Sequence, residues 1–570
     1  MSAAVIGLAL IGAGPSRADD NSGASATVRL IQLLIEKGIL SKDQAASLLK
    51  QAQEESRPPP RRVRPRPTAT QAAAPSATPS QPAEPPSPAV PPGTVRVTYV
   101  PQIVRDQIAQ EVRQEVMQQA QTENWAAPDA APEWTRRIHF YGDLRVRGER
   151  DQEASGNGPI IDFNSINSGS GFDTSGGSGL PPTLNSQEDR SRFRVRARLA
   201  MDARIDDWVN ADIGIATGND ASPGTYNQTL GSGGDFQKYA LWLDRAYLLL
   251  QPFKSLEPFQ SLKMYLGREP NPFWTTDLIY ANDLNMDGAA FTGSVPINSG
   301  LSVFGTAGAF SVFNTAFNYS SLDTTKFPSH DKYLFAGQAG VAFRPIETLQ
   351  AKLAAGFFAY DNINGKLSDP CLIVQTGSGC DTDATAAQYV QYGNTMFPIR
   401  NIVLTGTSTA TPEYFGLASR FGILDLHGRL EYRGFPLPVA LEGEFDKNLA
   451  FNRSFVASRG PVNNLGSNGV FSGGDTAYMI KFTVGKTEVV ERWDWNAFIA
   501  YKYLQSDSVL DALNDADFHL GGTNAKGFIL GGDLAVARNL FLTARWFSAT
   551  QVSGTPYAND LVQVDMTAKF

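Results

Sequence analysis

Apolar and polar residues alternate one for one through the last stretch of the chain, Asp560 to Phe570. Val562, Val564, Met566, Ala568 and Phe570 fall on one face; Gln563, Asp565, Thr567 and Lys569 fall on the other. A period of two is the period of a β-strand. The pattern begins at Ile138 and recurs to the C-terminus. Phe140, Leu144 and Val146 alternate with Asp143, Arg145, Arg147 and Glu149. Arg190, Arg192, Arg194, Arg196 and Arg198 alternate with Phe193, Val195, Ala197, Leu199 and Met201. Val439, Leu441 and Phe445 oppose Glu442, Glu444 and Asp446. In the segment from Trp493 to Tyr503, aromatic residues sit at both ends with Ile499 between them.

A soluble sheet can alternate in this way, with its apolar face on a core. A transmembrane barrel must alternate, with its apolar face on lipid and its polar face on a water-filled lumen. After about residue 125 the chain has few helical segments to cover so many apolar faces. Connection lengths give an independent test. Long connections fall near 151–189, 218–237, 269–285, 316–332, 361–411, 450–476, 505–525 and 551–558. Short ones fall near 206–208, 252–260, 296–299, 345–347, 434–437, 485–491 and 537–538. Long extracellular loops alternating with short periplasmic turns are the asymmetry of an outer-membrane barrel. The expected fold is all-β: a transmembrane antiparallel β-barrel of about 16 strands over 138–570. The strand count depends on 412–433, taken here as one strand; a hairpin through Asp425 to Gly428 is the alternative.

The N-terminal part reads differently. Ala3 to Gly12 is an apolar run, and Ser16-Arg17-Ala18 resembles a small-x-small cleavage site, so 1–18 is expected to be a signal peptide. No Lys or Arg precedes the apolar run, which leaves a start upstream of Met1 open. Residues 19–56 are expected to form a periplasmic helical hairpin. Leu30, Leu33, Leu34 and Ile35 form one stripe, Gly38 suits a C-terminal cap, and Ser41-Lys42-Asp43-Gln44 is a capping box. Residues 57–99 are a Pro-rich linker. At about 3.1 Å per residue, such a tether reaches on the order of 100 Å. Residues 100–137 carry a further periplasmic helix and connector. Val104, Ile108, Val112 and Val116 step by four, which is weak support for a coiled coil.

Composition narrows the chemistry. The chain has 570 residues, Gly 52, aromatic residues at 10% and charged residues at 19%. Many short strands with Gly-rich connections suit these values. No run of 18 or more apolar residues calls for a transmembrane helix. The net charge of −8 gives no case for nucleic acid. The basic run Arg57 to Arg66 lies in Pro-rich sequence without aromatics and reads as solvated linker. Cys371 and Cys380 stand in a Gly/Asp/Thr-rich stretch and are expected to pair in an exported protein, closing a small loop. His139, His330, His427 and His519 are scattered, in no catalytic or metal-ligand spacing, so no catalytic residue, metal or cofactor is expected.

A barrel of this size encloses more space than wall side chains can fill. Arg145, Arg147, Arg192, Arg194, Arg196 and Arg198 are the expected pore-lining residues. Guanidiniums so close together need carboxylates, anions or water opposite. The connection after Gly267 offers carboxylates at Glu269, Asp277, Asp283 and Asp287; folding inward, it would narrow the pore and set size and charge selectivity. Alternatively, the arginines pair with Asp143 and Glu149 on the neighbouring strand and the loop stays outside.

Two segments carry a family resemblance. Gly267 to Ala290 (GREPNPFWTTDLIYANDLNMDGAA) and Asp515 to Phe528 (DADFHLGGTNAKGF) are similar to characteristic stretches of the bacterial outer-membrane "putative porin" family. The layout is similar too: helical hairpin, Pro-rich linker, short helix, then RIHFYGDLRVRGE opening the barrel. The terminal Phe570 also resembles the signal read by barrel-assembly machinery. The resemblance implies an outer-membrane channel, with no assigned functional residues to carry over. The expected function is a porin for passive diffusion of small hydrophilic solutes and ions, seated in outer-membrane lipid as a homotrimer. An envelope-tethering protein, whose N-terminal helices bind cell wall (peptidoglycan) or another partner, is the alternative. An outer-membrane enzyme and a soluble all-β adhesin are weaker readings.

Overall fold

The computed structural model describes residues 133–570, apart from 177–178, 220, 253–260, 316–326, 374–377 and 406–409. The expected signal peptide, helical hairpin, linker and third helix lie outside the described residues.

Sixteen long strands form the wall. They are β1 (Ile138–Glu153), β2 (Arg190–Asp206), β3 (Val209–Ala216), β4 (Trp242–Leu250), β5 (Ser261–Pro270), β6 (Asn285–Asn298), β7 (Leu301–Phe313) and β8 (Lys332–Ile346). The second half comprises β9 (Leu349–Asp361), β10 (Gly422–Tyr432), β11 (Val439–Asn448), β12 (Thr476–Gly485), β13 (Trp495–Leu504), β14 (Ala525–Ala537), β15 (Leu540–Gln551) and β16 (Ala558–Lys569). Each pairs antiparallel with its neighbours in chain order, and β1 pairs with β16 from Asp143↔Lys569 to Glu153↔Asn559. Closure removes the open edges that an unpaired sheet would present. Phe570 extends the seam, exchanging backbone hydrogen bonds with Gly142 at 3.0 and 3.1 Å. Residues 412–433 supply one wall strand, β10; Pro412–Glu413 and Phe415–Leu417 form short pairings elsewhere.

Burial runs opposite to that of a soluble protein. Phe193 is 68% exposed, whereas Arg147 on the adjoining strand is 1% exposed. Phe140, Leu144, Val146, Phe335, Val341, Leu353, Phe357, Ile480, Ile499, Val562 and Val564 are all exposed on the outer face. Lipid is the solvent that makes this arrangement favourable. Outward Tyr478 stacks on Tyr503 at 5.2 Å between ring centroids, and Tyr501 meets Phe528 at 4.9 Å, so aromatics cluster near one rim.

The lumen is not simply empty. Residues 271–284, much of 362–421 and 505–524 turn inward. Phe273, Leu278, Ile279, Tyr280, Met396, Phe415, Val509 and Phe518 pack with wall residues Phe310, Leu334, Phe358 and Met479 in one buried apolar cluster. The loops therefore pack against wall residues on β6 to β10 and β12 to β16, a feature that wall width alone did not imply. The long connection 362–421 carries the Cys371–Cys380 disulfide, whose Cα atoms lie 5.7 Å apart.

Candidate pore and constriction

The arginine wall follows from strand register. In the β1–β2 pair, Arg198 lies across from Asp143, Arg196 from Arg145, Arg194 from Arg147, Arg192 from Glu149 and Arg190 from Asp151. Two of these pairings put like charges directly opposite, which is destabilising unless carboxylates intervene. They do. Arg192 and Arg194 reach Glu149 at 2.5 and 3.5 Å. Arg196 and Arg198 each reach Asp143 at 2.8 Å. Arg190 reaches Asp151 at 2.9 Å. Arg147 is clamped between Asp565 of β16 at 2.7 Å and Asp517 at 2.9 Å. Arg145 is least neutralised: Asp565 is 3.9 Å away, and its close partner is the neutral amide of Asn227 at 2.5 Å.

The loop 271–284 crosses to this wall. Its Phe273 and Tyr280 meet Phe358 of β9 edge-on, while its two carboxylates reach two other parts of the wall. Asp283 meets Arg196 at 3.1 Å and Arg198 at 3.5 Å. Asp277 meets Lys502 of β13 at 2.8 Å. Further pins hold the loop down. The Trp274 backbone N–H donates to the Gln338 side chain at 2.9 Å, and the Thr276 N–H donates to Glu444 at 2.8 Å. The Trp274 ring stacks on His427 at 3.8 Å.

Glu269 and Asp287 do not join Asp277 and Asp283; they belong to the wall. Glu269 closes β5, fully buried, and neither carboxylate oxygen has a hydrogen-bond partner among the described residues. Asp287 shares the outward parity of Phe291 on β6 and pairs with Arg268 at 2.9 Å. Gly267 matters to this junction. Its φ is +129°, and a Cβ there would stand 2.3 Å from the Ala246 carbonyl oxygen.

A second loop, 505–524, also enters the lumen. Asp515 reaches Lys502 at 2.6 Å, so a single lysine holds both loops. Asp517 joins the arginine wall. Burial alone would raise its pKa; Arg147 and Arg194 outweigh that and hold it well below the usual carboxylate range. Gly521 and Gly522 have positive φ, and a Cβ on Gly522 would lie 2.0 Å from the Tyr392 carbonyl oxygen. Nothing in the sequence pattern assigned this loop to the lumen, although its segment carried the family resemblance.

The wall and loops leave two polar cavities. One, of about 710 Å³, is lined by Glu149, Arg190, Arg192, Arg194 and Gln563. The other, of about 460 Å³, is lined by Arg145, Arg196, Asp277, Asp283, Lys481, Lys502, Asp533 and Arg545. Both include Thr225, Asn227, Ala516 and Asp517 in their walls.

A closed barrel, apolar outside and charged within, defines an outer-membrane channel. The sequence profile of the "putative porin" family matches residues 24–570, and the chain belongs to that family. It forms a water-filled outer-membrane channel for solute diffusion. Solved structures similar to it include OprB of Pseudomonas putida at high pH, with 11% identity and a TM-score of 0.39, covering 76% of this chain and 95% of that one. The outer-membrane channel DcaP of Acinetobacter baumannii has 8% identity and a TM-score of 0.35, covering 76% and 97%. The anion-selective porin from Comamonas acidovorans has 9% identity and a TM-score of 0.34, covering 76% and 99%. A comparison with curated protein sequences finds no match.

Proposed function

We propose that loops 271–284 and 505–524 together form the constriction, and that the arginine wall lines the conducting path beside it. Small hydrophilic solutes and ions pass through the two cavities beside Arg145, Arg192, Arg194 and Arg196, whereas Arg147, 1% exposed, braces the wall behind them. The observation that carries this reading is the pair of bridges from one loop to two walls, Asp283–Arg196 and Asp277–Lys502. Because most of the arginines are paired, charge selectivity is weak and rests mainly on Arg145. Single-channel recording in planar bilayers tests the assignment. D277N/D283N should change unit conductance and its open-channel noise; wild-type behaviour in both would remove loop 271–284 from the conducting path.

The chain is proposed to work as a homotrimer in outer-membrane lipid. β1 starts and β16 ends at the rim of short connections, where Ile138 faces Ala203 and Lys569 faces Asp143. Residues 19–137 are proposed to be periplasmic, after removal of 1–18. A helical hairpin over 19–56, a linker over 57–99 and a helix within 100–137 would place a cell-wall contact at a distance from the membrane.

A further inference from the structure

Behind the inward loop lies a cluster of three carboxylates, one of which, Glu444, holds the loop at Thr276. Asp425 on β10 faces Asp446 on β11 across the ladder, and Glu444 lies one inward position along. One oxygen of each lies within 4.8 Å of the others, and all three residues are buried. Their hydrogen bonds are few. Glu444 accepts from the Thr276 N–H at 2.8 Å, and Asp425 accepts from the Gln338 amide at 3.4 Å. Asp446 is 0% exposed, and neither of its oxygens has a hydrogen-bond partner among the described residues. One oxygen each of Asp425 and Glu444 is also unpartnered. Among the described residues, no Lys or Arg pairs with any of the three; nearby Arg429 and His427 reach Glu442 instead.

Three buried carboxylates cannot keep their charge in such a place without a counter-charge. We propose that Asp425, Glu444 and Asp446 bind a calcium-type divalent cation that fixes the base of loop 271–284. The donors are all oxygen, which selects a hard ion. Calcium–oxygen bonds of about 2.3–2.6 Å span a 4.8 Å separation between ligands; magnesium, at about 2.0–2.1 Å, would need the strands to close in. Water completes the coordination. Glu444 is the link to the loop, because its other oxygen holds the Thr276 N–H.

The test uses the full chain in detergent, stripped with EDTA and dialysed. Titration with CaCl2, read by elemental analysis after desalting, should recover one calcium per chain and raise the thermal midpoint. Tb3+ should show luminescence sensitised by the neighbouring Trp274 and Tyr280, and Ca2+ should compete for it. D446N should weaken Tb3+ binding at least tenfold; E444Q serves if D446N does not fold. No stoichiometric calcium at millimolar CaCl2 would overturn the proposal and leave a proton-sharing cluster. Unchanged Tb3+ binding in both variants would overturn it equally, by placing the ion elsewhere.

Discussion

Lys502 Nζ lies 2.8 Å from Asp277 Oδ1 and 2.6 Å from Asp515 Oδ2, so one wall lysine ties two loops that are far apart in sequence. Its side chain is 2% exposed. Removing one partner of a buried ion pair leaves the others uncompensated, which costs about 3 kcal/mol or more. K502M should lower resistance to denaturant by roughly that amount, measured by equilibrium unfolding. It should also add rapid flicker to single-channel traces, because both loops lose the same anchor.

Selectivity should follow the arginine wall. Neutralising Arg194 and Arg196 together frees Glu149, Asp143 and Asp283 from part of their positive partners. R194Q/R196Q should move the reversal potential in a salt gradient toward cation preference. R145Q, which disturbs fewer bridges, should move it the same way. If neither variant shifts the potential, the wall does not border the conducting path.

The loop packing should weaken as pH rises. Burial pushes Asp507 up to about 6 and Asp511 up to about 7, from an ordinary 3.8. Both lie in loop 505–524, where Asp507 accepts from Thr395 and Asp511 from the Asn394 backbone. A raised carboxyl pKa means that the folded loop holds its proton more tightly. The stability it lends is complete below pH 3.8 and is lost as pH climbs through about 6 to 7. Buried His519, held down at about 3, has the opposite slope between its ordinary 6.5 and 3; the two aspartates outweigh it up to about pH 6. Limited proteolysis of the loops should therefore be faster at pH 7.5 than at pH 5, after correction for protease activity. D511N should reduce that difference.

The Cys371–Cys380 bridge should stabilise its own connection and not the wall. Closing so short a loop contributes roughly 2–3 kcal/mol of local order. C371S/C380S should expose 362–421 to proteases, while the barrel keeps its heat resistance on gels.

Deleting Phe570 should impair closure more than conduction. Its backbone makes two hydrogen bonds to Gly142 at the β1–β16 seam, and its ring stands exposed on the outside. The assembled fraction should fall in membrane extracts, with wild-type conductance for each channel that does assemble.

Much of the wall was legible because a lipid face and a wet lumen impose one period on every strand. The alternation in Asp560 to Phe570, the arginine run on β2 and the contrast of long and short connections each report that constraint. Legibility failed where the period slipped. Asp244 and Arg245 both turn inward because the β3–β4 register shifts between Gly214 and Ile215; a bulge presents two consecutive residues to one face. Glu269 and Asp287 look equivalent to Asp277 and Asp283 in the sequence, yet they flank the loop and take wall positions.

Residue order alone carried the barrel, its closure and the charged lining, because strand parity is a local property set by lipid on one side. What fills the lumen came only from long-range packing. Lys502 gathers Asp277 and Asp515, Arg147 gathers Asp565 and Asp517, and Asp425, Glu444 and Asp446 meet beneath Thr276. Those groups converge from distant segments only after the loops bury their apolar residues against the inner face of the barrel. That packing is a long-range contact between inward faces, and no local period encodes it.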